Sequence, residues 1–217
     1  MDNKRSTVAI SIQALQRLPI YLKYLKSLPK KGVLNISSTS IAEALDLNDV
    51  QVRKDLALVS SGGRPKVGYI LRDLIFDIEQ FLGYDDSNSA VIVGAGNLGR
   101  ALLAYNGFSE YGLDIVAAFD VDKSLIGTTV NGRPVLSADK LLDLCSRLKV
   151  RIGIITVPDH EAQAVCDRLV EGGILAILNF AHVRLKVPEH VLVQNENLAC
   201  SLAVLSKHLA EQLFQLE

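Results

Sequence analysis

The stretch AVIVGAGNLG, residues 90–99, decides the fold. Ala90–Val93 reads as a short buried strand, and the pattern GxGxxG follows it at once. A helix is predicted next, with Leu98, Ala101, Leu102 and Tyr105 as its apolar positions. A second strand, Ile115–Phe119, ends in Asp120, 21 residues past Gly99. Strand, glycine turn, helix and a strand ending in an acid make the dinucleotide-binding arrangement. Gly94 is expected to form the tight turn, Gly96 to admit a pyrophosphate, and Gly99 to let helix and strand pack closely. The helix start offers free N–H groups to phosphate charge. Asp120 suits the adenine ribose hydroxyls and repels a 2′-phosphate, which favours NAD over NADP.

Toward the C-terminus the alternation continues. Ser137 is expected to cap a helix running through Leu148, and Ile152–Val157 forms a third strand. Residues 159–171 read as a helix, Ile174–Phe180 and Val191–Val193 as strands, and Leu198–Leu216 as a last amphipathic helix. This order predicts an α/β fold with a doubly wound parallel sheet. Ligands of such sheets lie beyond the strands' C-terminal ends. Thr156, Val157 and Pro158 are therefore expected to border the nucleotide, and Asn179 and Phe180 the nicotinamide.

Toward the N-terminus the pattern turns helical. Ile12, Leu15, Leu18, Leu22, Leu25 and Leu28 step by three or four, which predicts a buried stripe. Pro19 within it predicts a break or kink near Leu18. Lys30 and Lys31 suit the end of that helix, and Gly32 its stop. Two short helices follow, the first capped by Ser37 or Ser38 and the second running from about Val50 to Val59, joined by Asp46–Asp49. That spacing matches a helix-turn-helix. Val52, Leu56 and Val59 face inward in this reading, and Gln51, Arg53, Lys54 and Asp55 face outward. SSGGRPKVGY, residues 60–69, is a glycine-rich basic loop of the kind that forms a wing. Arg53 and Lys54 are placed to reach a major groove, and Arg64 and Lys66 a minor groove. Residues 72–82 read as a further helix, and 83–89 as a linker.

The charge distribution agrees with this division. The chain of 217 residues has a net charge of −1, yet residues 1–72 carry 12 Lys+Arg against 5 Asp+Glu and the remainder carries 11 against 19. A basic front third before an acidic remainder suggests nucleic-acid contact at one end. Hydrophobic residues make up 49%, enough for a sizeable core. No apolar run approaches the length of a membrane helix, and the opening MDNKRST has no following apolar region of the secretory type. A cytoplasmic location is expected. Cys145, Cys166 and Cys200 are few and widely spaced, which fits packing roles and neither a disulfide framework nor a metal site. His160 and His182 follow the two ligand-bordering loops and are the only histidines placed to serve a dehydrogenase.

Taken in order, QVRKDL at 51–56, GGRPKVGY at 62–69, GAGNLG at 94–99, FDVD at 119–122, TVP at 156–158 and NFA at 179–181 give the chain a family likeness. It resembles the Rex family of redox-sensing transcriptional repressors over essentially its whole length. The resemblance implies a winged-helix DNA-binding domain at 1–82, a Rossmann domain at 83–196, and a last helix at 197–217 exchanged within a homodimer. It implies a non-enzymatic repressor that binds inverted-repeat operator DNA and is released by NADH. By the same likeness Gln51, Arg53, Lys54, Arg64 and Lys66 would contact DNA. Gly94, Gly96, Asn97, Leu98, Gly99, Asp120 and Val121 would hold NAD(H), and Tyr105, Asn197 and Leu198 would form the redox switch. The chain departs from the family pattern in reading Asn197 where an aspartate is usual, His182 for proline after NFA, and Pro65 for a basic wing residue. The rival readings are a small NAD-dependent oxidoreductase with a merely structural basic end, and a relative that binds DNA but no longer senses redox state.

Overall fold

The computed structural model describes residues 10–29, 34–83 and 88–216. The chain divides into two compact units, Met1–Asp86 and Ser87–Glu217. Lys30, Lys31, Gly32 and the MDNKRST segment lie outside the described residues, as does most of the expected linker.

The first unit contains α1 (Ile12–Ser27), β1 (Asn35–Ile36), α2 (Ser38–Leu45), α3 (Asp49–Val59), β2 (Tyr69–Ile70) and α4 (Leu71–Leu82). Local chemistry sets the helix starts. The side chains of Ser11, Ser37 and Asn48 each accept a backbone N–H three residues on, at 3.2, 2.9 and 3.1 Å. Asp46 turns the chain between α2 and α3 in the left-handed region, with φ 53°. Of the break or kink expected near Leu18, the break does not occur, since α1 runs through Pro19. Burial of Leu18, Tyr21, Leu22 and Leu25 outweighs the roughly 3 kcal/mol that an interior proline costs. Leu15 falls outside the buried stripe, at 39% exposure. β1 and β2 pair antiparallel, Ile36 opposite Tyr69, and anchor the base of the wing. Gly68 belongs to this anchor: its φ is +80°, and a Cβ there would run into the Ile36 carbonyl oxygen.

The second unit contains β3 (Asn88–Val93), α5 (Asn97–Ala104), β4 (Leu113–Asp120), β5 (Thr129–Val130), β6 (Arg133–Ser137), α6 (Leu141–Leu148), β7 (Ile152–Ile155), α7 (Asp159–Glu171), β8 (Ala176–Asn179), β9 (Leu192–Asn195) and α8 (Leu198–Leu216). The sheet order is β5-β6-β4-β3-β7-β8-β9. All neighbours run parallel except β5, which pairs antiparallel with β6. Without that edge strand the order is the Rossmann one, reversing direction beside β3. Alternate residues of β3 feed the two faces. Ala90 and Ile92 pack with Leu103 of α5, while Val91 and Val93 pack with Leu141 and Cys145 of α6 and Ala162, Cys166 and Leu169 of α7. Leu103 is therefore the buried contact of α5. Leu98, Ala101 and Tyr105, expected on its apolar face, are exposed. Ser137 caps a single 3-10 turn, Ala138–Lys140, ahead of α6. Among the described residues no helix is long and apolar enough to cross a membrane.

Candidate dinucleotide and nucleic-acid sites

The glycine turn of the second unit is built tightly on one side and left open on the other. Gly94 has φ +103°, and a Cβ there would lie 2.9 Å from the Thr156 backbone. The Gly94 N–H donates to the Phe119 carbonyl at 2.8 Å, and the Thr156 hydroxyl lies 2.7 Å from the Gly94 carbonyl oxygen. A Cβ on Gly99 would collide with that same carbonyl, so only glycine lets α5 come this close. Gly96 differs: nothing lies within 4 Å of where its Cβ would be, and no side chain caps α5. The α5 N-terminus thus faces open space with free N–H groups. Asn97 and Leu98 are exposed beside it.

Asp120 closes the other side of the turn. Its Oδ2 accepts the Ala95 N–H at 2.6 Å, and its Oδ1 accepts the Asp122 N–H at 2.8 Å. Each carboxylate oxygen keeps a further lone pair for a hydroxyl. Beside it lies a cavity of about 220 Å³, lined in part by Gly96, Asp120, Val121, Thr156, Val157 and Pro158. Ala138, Leu141, Glu161, Val165 and Arg168 line it too. These five were not expected: Ala138 and Leu141 come from the turn after β6 and the α6 start, and Glu161, Val165 and Arg168 from the first three turns of α7. Only the topology brings them to the strand ends.

The β8 end is arranged differently. Asn179 is fully buried, and its side chain is turned onto its own loop. Its amide nitrogen donates to the Ala181 and Val183 carbonyls and to Asn195 Oδ1, while its oxygen accepts the Ala181 N–H. Phe180 packs partly buried against the α5 side of the sheet. A separate polar cavity of about 440 Å³ opens here, lined by residues 181–184 and 195–197. His182, the residue in the proline position, donates its backbone N–H to Asp159 Oδ1 at 2.8 Å, a bond proline could not make. His160 is exposed, 3.7 Å from Glu161.

Tyr105 follows the end of α5 and is 56% exposed. Its ring stands edge-on to Phe108 at 5.1 Å and covers Gly107. Asn197 caps α8, its Oδ1 accepting the Cys200 N–H at 2.9 Å. Leu198 is 67% exposed and starts an apolar row continued by Leu202, Leu205, Leu209 and Leu213, each more than half exposed. Cys145 and Cys166 are core residues, and burial pushes the Cys145 thiol up to about 11. Among the described residues no group of three or more His, Cys, Asp or Glu side chains is arranged to hold a metal ion.

In the first unit Arg53, Lys54, Arg64 and Lys66 are all exposed. A concavity of about 520 Å³ gathers Arg53, Arg64 and Lys66 with the α2 start, Ser37, Ser38 and Thr39. Lys54 does not line it. Lys66 holds φ 63° at the wing tip, an unusual conformation for a residue with a side chain. Asp55, expected outside, is 1% exposed. Its carboxylate accepts two bonds from Arg17, at 2.7 and 3.0 Å, one from the Tyr21 hydroxyl at 2.8 Å, and one from the Gln51 amide at 2.8 Å. Burial pushes this carboxyl up, and the hydrogen bonds from Arg17, Tyr21 and Gln51 more than offset it, leaving it below its ordinary value.

A helix-turn-helix unit with a basic wing, followed by a Rossmann unit with an open glycine turn, defines a DNA-binding regulator that carries a nucleotide-binding unit. A family model described as a putative DNA-binding protein N-terminus matches residues 9–57, and one described as a CoA binding domain matches residues 85–183. The redox-sensing transcriptional repressor Rex of Bacteroides fragilis is 44% identical over 90% of this chain and 89% of its own length. The structure of RSP in complex with β-NAD⁺ and operator DNA matches with TM-score 0.86 and 36% identity over 95% of both chains. That of RSP in complex with β-NADH matches with TM-score 0.79 and 35% identity, covering 95% of this chain and 98% of the other. The chain belongs to the Rex family of redox-sensing transcriptional repressors.

Proposed function

We propose that this protein represses transcription by binding operator DNA and lets go when NADH fills its Rossmann unit. The observation that carries the reading is the pairing of the open Gly96 and uncapped α5 start with the Asp120 carboxylate across one turn. Free N–H groups suit a pyrophosphate, and spare carboxylate lone pairs suit a ribose diol. Gly94, Gly96, Asn97, Leu98, Gly99, Asp120 and Val121 are assigned to the adenosine and pyrophosphate. Thr156, Val157 and Pro158 border it from β7, and Asn179 and Phe180 shape the nicotinamide end. The CoA description of the matching family suits this site less well, because a ribose phosphate would meet the Asp120 charge.

Arg53 and Lys54 on α3 are assigned to the major groove, and Arg64 and Lys66 on the wing to the minor groove. We assign Tyr105, Asn197 and Leu198 to the switch, and α8 to a homodimer in which its apolar row is covered by the partner subunit. The two units would act by population shift: NADH binds one arrangement of the dimer better than the other, and DNA the reverse. A repressor acting on DNA is expected in the cytoplasm.

The test is to titrate NADH and NAD⁺ separately into the protein held on a family-type inverted repeat. Release by NADH at concentrations where NAD⁺ has no effect supports the reading. Release by neither would favour a repressor without a redox switch.

A further inference from the structure

The partly buried ion pair beneath the recognition helix constrains a side chain on its surface. An amide such as that of Gln51 has two ends, an oxygen that only accepts and a nitrogen that only donates. Ordinarily either end can turn outward. Here Asp55 removes the choice. Its carboxylate is ionised, bonded by both Arg17 nitrogens and by Tyr21, and accepts hydrogen bonds only. The end of Gln51 that meets it at 2.8 Å must therefore be the nitrogen. That leaves the Gln51 oxygen and the second N–H of the same amide side by side and free.

Gln51 lies in the first turn of α3, three residues after the Asn48 cap. The first turn of a recognition helix is the part that reaches base edges. In the major groove guanine presents two acceptors and thymine one, so a fixed carbonyl oxygen opposes them. Cytosine offers one amino donor. Adenine offers an amino donor at N6 and an acceptor at N7, which matches the oxygen and the remaining N–H together.

We infer that the Arg17–Asp55 pair is a positioning device that fixes Gln51 as a reader of adenine in each operator half-site. The inference rests on the DNA-binding reading of α3, and Arg17 and Asp55 are positioning residues acting through Gln51.

The test uses the full-length protein and a pool of random-sequence duplexes. Selection by the parent should yield one position per half-site where adenine is preferred over guanine by about tenfold, the discrimination of one good bidentate pair. Gln51→Ala should reduce that preference to about twofold or less, at that position alone. Arg17→Met should do the same at the same position, a change that mere loss of stability would not make. Removing one partner of a buried pair can unfold a domain, so two duplex substitutions repeat the test on the parent protein. Replacing the selected adenine by purine, which lacks N6, or by 7-deazaadenine, which lacks N7, should each weaken binding by about tenfold. Unchanged preference in Gln51→Ala, or parent affinity indifferent to both modified bases, overturns the inference. A preference lost in Gln51→Ala but kept in folded Arg17→Met overturns the positioning role. If the parent selects no sequence at all, the DNA-binding reading fails, and the inference falls with it.

Discussion

The Ala95 N–H donates to Asp120 Oδ2 at 2.6 Å, tying the glycine turn to the end of the neighbouring strand. Asp120 thus holds the turn, and under the proposed function it also offers lone pairs to a ribose. Asp120→Ala removes both. A hydrogen bond to a charged group contributes about 1.5–3 kcal/mol, so NADH affinity should fall by tenfold or more in calorimetry. Without the carboxylate the bias against NADPH should also shrink. Equal NADH affinity in variant and parent would take Asp120 out of the site.

Gly99→Ala tests the packing beneath the same turn. The added Cβ meets the Gly94 carbonyl oxygen, with the Thr156 hydroxyl 2.9 Å away. Backbone cannot yield as a side-chain tip does, so α5 must move off the sheet. Overpacking of this kind costs about 1–3 kcal/mol. The urea midpoint of the second unit should drop and NADH binding weaken, while affinity for DNA measured without cofactor holds.

How much of this was legible depended on whether the deciding contacts were local. The cap at Ser37, one of the two serines expected for it, the glycine turn and the strand ending in Asp120 are short-range patterns, and they stand where their spacing suggests. The β5–β6 hairpin was equally local: Asn131 and Gly132, with φ 50° and 78°, make the Asn-Gly turn that joins it. Asp55 was different. It follows Gln51 by four residues in a polar stretch, and its burial comes from Arg17, 38 residues upstream. Leu103 was hidden for another reason. Leu98, Ala101, Leu102 and Leu103 are all apolar, so periodicity alone does not choose the buried face. Arg168 and Val165 enter the cavity only once α7 is laid across the sheet.

The Asp55 cluster should give stability two pH edges. Asp55 is held below the ordinary carboxyl value of 3.8. Its contribution is present above that value and is lost as pH falls through the lowered one. Tyr21 behaves in the opposite sense. Burial, and then its bond to Asp55, raise it from 10.0 to about 12. Its contribution, about 2–3 kcal/mol, is complete below pH 10 and lost as pH rises toward 12. Tyr21→Phe should reduce the alkaline edge of the first unit in urea unfolding, leaving the part due to Tyr69, whose hydroxyl burial also pushes up. Cys145 titrates in the same range but belongs to the second unit, so it does not mask the effect.

Arg53→Ala combined with Lys54→Ala separates the two units functionally. Both side chains are exposed on α3, so folding should be unaffected. Operator affinity in a gel shift should fall at least a hundredfold, while NADH binding by calorimetry stays at the parent level. In the parent, log affinity should fall with log salt by about 0.9 per phosphate neutralised, and the double variant should show a slope shallower by about two such units. Unchanged DNA affinity would remove α3 from the interface.

The row on α8 predicts an assembly. Leu198, Leu202, Leu205, Leu209 and Leu213 step by three or four along the 19-residue α8 helix and stay more than half exposed. A soluble chain seldom leaves so long an apolar stripe to water, and helical spacing of this kind suits a facing groove. Leu202→Glu with Leu209→Glu sets two charges in the row without touching a buried residue. Sedimentation should show the parent as a dimer and the double variant shifted to monomer. Because paired half-sites are bound by paired recognition helices, the same variant should lose affinity for an inverted repeat while retaining weak binding to a single half-site. A double variant that remains dimeric would exclude this face of α8 as the seam.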